Sequence, residues 1–240
     1  MKQILNIDAN AKTVKGEKIG VLTGILYLAP AASAGRENVC PMARLAQCEA
    51  GCLNTAGRGI MRSVQEARIA KTRRFFDDRP AFMADLIFSI QFVVRKAHKM
   101  GMVPMIRLNG TSDIAWENVP VQFEGRSYES LMALFPTVQF YDYTKLPTRK
   151  VPENYDLTFS YSGVVGYAGI VKKAMARGLR MAVVFRDKLV AEGAISKGFM
   201  GWAGVSGDET DVRPYDARGV IVALYAKGPA KKDMSGFVVD

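Results

Sequence analysis

The chain has 240 residues, a length that fits one large domain or two small ones, and its 49% hydrophobic and 10% aromatic content is that of a packed globular protein. Lys and Arg total 33 against 23 Asp and Glu, a formal net charge of +10 that favours acidic partners such as phosphate, carboxylate or nucleic acid. An odd count of three cysteines argues against a disulfide scaffold, and no run of about eighteen uncharged apolar residues offers a membrane-spanning helix.

Lys15 and Lys18 precede an apolar run, Ile19 to Pro30, and Ala32-Ser33-Ala34 imitates a leader cleavage site. Asp8 and Glu17 would sit inside that leader, and the mature chain would carry an unpaired thiol into an oxidising compartment, so the expectation is a cytoplasmic protein. Ile19 to Leu28 reads instead as a first strand. Arg58 to Phe76 and Pro80 to Met100 carry helical patterns, with Pro80 in a first turn where its missing N–H costs nothing. Met102 to Leu108, Val138 to Phe140, Tyr155 to Phe159 and Met181 to Phe185 are short, nearly continuous apolar runs, the pattern of strands buried on both faces. Ser127 to Phe135 and Gly166 to Arg177 are shorter helices, the second stopped by Gly178, and Gly219 to Tyr225 is a last strand. Lys145 to Asn154, with Pro147 and Pro152, is a surface connection. This alternation predicts one α/β domain over residues 1–240, a partial (β/α)6-type barrel of mostly parallel strands, with an open doubly wound sheet as the alternative. Residues 228–240 are predicted to form a peripheral C-terminal tail.

Several of the apolar runs end in polar clusters, and the carboxyl ends of parallel strands are where α/β folds gather their reactive groups. Asn109, Ser112, Asp113, Asp142, Lys145, Tyr161 and Arg186 are therefore the candidate ligand-binding residues. Asp208, Asp211 and Asp216 surround Arg213; an Arg–carboxylate fork holding a loop is one reading, and Asp208 and Asp211 binding ribose hydroxyls or an amine is the other.

Cys40, Cys48 and Cys52 are the only cysteines and fall in one C-x7-C-x3-C run after the first strand. Three soft sulfur ligands suit an iron–sulfur cluster, zinc or copper(I), with a fourth position left open for a substrate or filled from elsewhere. The expectation is a 4Fe-4S cluster on these three thiols, with a small-molecule ligand at the open iron; zinc is the alternative, and buried inert thiols the plainest one. Arg58, Arg62, Arg68, Lys71, Arg73 and Arg74 form a basic stretch directly afterwards, either a solvated helix face or a nucleic-acid contact. The alternative function is accordingly a zinc-stabilised, non-catalytic nucleic-acid-binding protein. His98, the single histidine, sits late in a predicted helix, which removes Cys–His and Ser–His nucleophile pairs from view.

Three cysteines after the first strand of a parallel α/β domain are similar to those of radical S-adenosylmethionine enzymes, although their spacing here is wider and Gly51 stands where an aromatic residue is usual. That likeness implies S-adenosylmethionine as a cosubstrate and radical redox chemistry on a small ligand. Over nearly the whole length the chain resembles the phage "gene product eighty-eight" family. The residues that carry this resemblance are Asn10-Ala11-Lys12-Thr13, the cysteine run followed by Asn54, Arg107 to Asp113, Tyr141 to Lys145, Gly207 to Arg213 and Ala226-Lys227-Gly228. It implies a phage or prophage origin, hence the host cytoplasm, and supplies no activity of its own.

Overall fold

A computed structural model describes residues 1–7, 11–52, 54 and 56–240. Asn10, which opens the first motif of the family resemblance, and Asp8, placed in the imitation leader, lie outside the described residues. The strands are β1 (Val21–Ile25), β2 (Val103–Arg107), β3 (Val121–Phe123), β4 (Arg126–Tyr128), β5 (Gln139–Thr144), β6 (Tyr155–Ser160), β7 (Met181–Phe185), β8 (Gly204–Ser206) and β9 (Ile221–Tyr225). The helices are α1 (Ala11–Glu17), α2 (Ala43–Ala46), α3 (Arg62–Asp77), α4 (Arg79–Lys99), α5 (Leu131–Leu134), α6 (Ala168–Ala176) and α7 (Lys188–Lys197).

The seven-stranded sheet runs β1-β2-β5-β6-β7-β9-β8, and every pairing in it is parallel. From β1 to β7 the strands of this sheet add successively to one growing edge, and β9 then inserts between β7 and the edge strand β8; the sheet is a partly closed half-barrel flanked by helices. All six runs read as strands are strands. The seventh, β8, has a single large apolar residue, Val205, and no side of it is fully buried, which is why hydrophobic patterning does not reveal it.

Between α3 and α4, Asp78 accepts the Ala81 N–H at 3.3 Å and Pro80 occupies the first turn, so one helix stops and the next starts within a few residues. Phe82, Leu86, Ile90 and Val93 recur at helical spacing and are buried, with α4 packed on β1 and β2. Each such side chain contributes about 1.5–3 kcal/mol of transfer free energy. Ser127 to Phe135 differs from the helix expected there: Arg126–Tyr128 pairs with Val121–Phe123 as a hairpin. Its turn residues, Glu124 and Gly125, both have positive φ, 49° and 75°. The helix starts only at Leu131, where the Ser130 hydroxyl caps the Ala133 N–H.

The helices α3 to α7 pack on one face of the sheet through two apolar clusters centred on Leu86, Trp116 and Phe140 and on Phe159, Met181 and Ile221. Val21, Met105 and Tyr141 cluster instead with Val212, so the opposite face is covered by the connection between β8 and β9. The end of the chain, expected as a peripheral tail, places Phe237 and Val238 in a small apolar cluster and bridges Val239 to Phe185.

Candidate functional site

The carboxyl end of β2 turns through Leu108-Asn109-Gly110, and Gly110 is required there because a Cβ would lie 2.7 Å from the Leu26 carbonyl oxygen. Asn109 organises the turn: its Oδ1 accepts from Ser112 Oγ at 2.8 Å, the Ile114 N–H at 2.9 Å and Trp116 Nε1 at 3.2 Å. Asp142 on β5 ties the same turn down, accepting the Leu108 and Asn109 N–H groups at 3.1 and 2.8 Å and the Tyr155 hydroxyl at 2.9 Å. Burial pushes its carboxyl up to about 6 against the pull of Arg107, whose Nε lies 3.9 Å away. Asp113 accepts the Lys145 N–H at 2.7 Å and Arg149 Nη1 at 3.2 Å; burial raises its pKa as well. Arg149 also makes a two-pronged contact with Glu117 at 2.8 and 2.5 Å. Asn109, Ser112, Asp113 and Asp142 thus meet, but their hydrogen-bonding capacity is spent largely on the chain itself.

Strand alternation sends Tyr141 and Tyr143 to the other face, where the Arg107 guanidinium lies over both rings, 5.6 and 4.9 Å from their centroids. Arg107 is paired there with Asp211, which also accepts the Tyr143 hydroxyl at 3.2 Å. Arg213 is buried beside it, donating to the Thr210 carbonyl at 2.7 Å with its Nη1 2.8 Å from Asp216; Asp216 is thus the carboxylate paired with Arg213, while Asp211 pairs with Arg107. Asp208 stands apart, 2.6 Å from Lys227, and Arg186 pairs with Asp240 at the chain end. Neither is brought to the β2–β5 turn. Arg107, Glu117, Arg149 and Tyr155 were not among the sequence candidates. Arg107 alone had a visible signal, as the charged terminus of an apolar run.

Lys145, the next residue after β5, directs its Nζ to the carbonyl oxygens of Ser160 and Tyr161 at 3.1 and 3.0 Å, past the end of β6. The amine lies over the Phe237 ring, 4.4 Å from its centroid. Gly51 is packed beneath the same ring, where a Cβ would lie 2.8 Å from it. Burial lowers the Lys145 pKa to about 8, opposed by the negative forms of Cys48, Asp113 and Cys52. Tyr161 sits half-buried, edge-on to Phe199, and burial raises its pKa.

The thiols correct the metal-centre expectation. Cys40 Sγ accepts the Ala31 N–H at 3.3 Å and lies 3.7 Å from the Thr111 carbonyl; Cys48 Sγ lies 3.9 Å from the Ala43 carbonyl; Cys52 Sγ accepts the Asn54 N–H at 3.4 Å. Each sulfur thus lies against a main-chain N–H or carbonyl group, and among the described residues no group of three or more His, Cys, Asp or Glu side chains could hold a metal ion. Burial pushes Cys40 up to about 12 and raises Cys48 and Cys52 above the usual thiol range. The 4Fe-4S cluster on Cys40, Cys48 and Cys52, the zinc alternative, the small ligand at an open iron and S-adenosylmethionine chemistry on that iron are therefore not supported by the site.

The basic stretch is likewise not one surface. Arg68 is buried against Asn54 with its guanidinium over Tyr27, Arg74 pairs with Asp85 at 2.6 Å, Arg73 donates to the Ala34 carbonyl at 3.0 Å, and Lys71 is turned towards the Ile4 carbonyl at 3.5 Å. Of the six, Arg58, Arg62 and Arg73 are exposed, and Arg62 is 2.7 Å from Glu66. The nucleic-acid contact through Arg58, Arg62, Arg68, Lys71, Arg73 and Arg74, and with it the zinc-stabilised nucleic-acid-binding alternative, is not supported by these side-chain positions.

Among the described residues no helix is long and apolar enough to cross a membrane. No curated protein and no solved structure matches the chain, and nothing found links its cysteine region to radical S-adenosylmethionine enzymes. A family model described as Gene product 88 matches residues 4–240, and it does so across the cysteine run, both strand-end turns and the C-terminal segment. The chain belongs to the phage Gene product 88 family.

Proposed function

We propose that the protein binds a small carbonyl-bearing molecule at the carboxyl end of the half-barrel, with the Lys145 amine as its anchor and Tyr161 beside it. The observation that carries this reading is a lysine buried at a strand end with its pKa lowered to about 8, hydrogen-bonded to main-chain carbonyls. A lysine desolvated in this way keeps a substantial neutral fraction near neutral pH and is a nucleophile where an ordinary surface lysine is not. The neighbouring Cys48 and Cys52 are held protonated by burial, so neither neutralises the amine nor competes with it. Addition of the amine to the carbonyl carbon forms a C–N bond; the carbonyl oxygen leaves as water with the two amine protons, and an imine remains. Asn109, Ser112, Asp113 and Asp142 serve this site by fixing the β2 and β5 ends from which Lys145 projects. Residues 1–240 act as one unit in this reading, and the host cytoplasm is its compartment, since three free thiols persist in a reducing environment.

Reductive trapping tests it. The protein incubated with glyoxylate and cyanoborohydride at about pH 7.5 should acquire its first adduct on Lys145, ahead of the exposed lysines, whose amines are not desolvated. Adducts spread over surface lysines with Lys145 unmodified after prolonged incubation contradict the reading.

A further inference from the structure

The crossovers that join neighbouring strands from β1 through β7 carry a helix, with one exception among the described residues: β5 passes to β6 through residues 145–154 alone. Pro147 and Pro152 forbid a regular helix in that stretch. The flank of β6 that a helix would cover is left as a cleft of about 310 Å³. Leu157 and Leu179 contribute apolar walls, while Arg149, Lys150, Arg177 and Arg218 supply four cations, and no Asp or Glu lines it. Arg149 is already neutralised by Glu117 and Asp113. Lys150, Arg177 and Arg218 are exposed, and among the described residues none of them makes an ion pair; Arg177 donates only to the Arg149 carbonyl, at 3.4 Å. Like charges gathered around one concavity repel one another, and an anion entering it relieves that repulsion.

From this geometry we infer a second, anionic ligand site, separate from Lys145: the cleft over β6 takes the phosphate monoester of a small organic molecule. Lys150, Arg177 and Arg218 hold the phosphate, and the apolar walls receive the organic body. The apolar lining is what separates a phosphorylated molecule from free inorganic phosphate, which has nothing to place against Leu157 and Leu179.

Calorimetric titration of the full chain at low salt with phenyl phosphate and with orthophosphate tests this. Phenyl phosphate should saturate one site per chain and bind at least about tenfold tighter than orthophosphate, a difference of about 1.4 kcal/mol. The Lys150→Glu/Arg218→Glu variant should lose at least about tenfold in phenyl phosphate affinity while keeping its circular dichroism and melting temperature, and Lys145→Met should bind as the unaltered chain does. If the charge-reversed chain fails to fold, Lys150→Ala/Arg218→Ala carries the same expectation. Absence of saturable binding, equal affinity in a folded variant, or orthophosphate binding as tightly as the ester overturns the proposal. A single-stranded oligonucleotide held through the same residues, with no phenyl phosphate bound, overturns it in favour of a polymer site.

Discussion

Two groups of charges on either side of Arg149 are built on opposite terms. At the β2–β5 end, Asp113, Asp142 and Glu117 are buried, and each meets an N–H, hydroxyl or guanidinium donor within 3.2 Å. In the cleft over β6, Lys150, Arg177 and Arg218 face solvent with no carboxylate among them. A buried polar group must find a partner during folding or the fold loses the desolvation cost, whereas an exposed cation is satisfied by water until a ligand arrives. The first group therefore holds the architecture, and the second is available for binding. Lys145 belongs fully to neither: it is buried, yet its partners are carbonyl oxygens rather than charges.

Breaking the paired group should have the largest effect. Asp142→Ala leaves two main-chain N–H groups and the Tyr155 hydroxyl without their acceptor, and a cost of about 3–5 kcal/mol is expected in a urea denaturation. A loss below about 1 kcal/mol would mean the network is not holding the turn.

Lys145→Met has a smaller, pH-dependent signature. With a folded pKa of about 8 and an unfolded one near 10.4, the unfolded chain keeps the proton through the window between them, so stability from this group is lowest below about 8 and rises with pH. The unaltered chain should gain about 2 kcal/mol on the variant between about pH 7 and about pH 9.5. A gap between the two that stays constant over that window contradicts the burial of a protonated amine. The smallest effect is expected in the cleft: Lys150→Glu/Arg218→Glu should change stability by no more than about 0.5 kcal/mol, because no partner is lost.

Local patterning made the six main strands and the α3–α4 junction legible, since buried parallel strands and capped helices leave dense, short-range signals. The small β8 strand and the hairpin turn at Glu124-Gly125 left no such signal, because the first is three residues long and the second begins on a residue that does not favour positive φ. The turn after β2 was legible as a polar cluster but not as a self-satisfied one. Whether Asn109 serves a ligand or its own Ser112, Ile114 and Trp116 depends on contacts that only folding brings together. The thiols mislead for a related reason. Spacing along the chain shows that Cys40, Cys48 and Cys52 share a loop, but not that their sulfurs are occupied by the Ala31 N–H, the Ala43 carbonyl and the Asn54 N–H. Lys145 was visible only as one polar residue at a strand end; its lowered pKa comes from burial beside Phe237, which lies more than ninety residues away in the sequence.

The claim on which the functional reading stands is the state of that amine, and the titration of its own carbon reports it directly. With lysines labelled at 13Cε, the resonance that disappears in Lys145→Met should titrate with a midpoint near 8 in the folded protein. A midpoint at about 10 or above would contradict it.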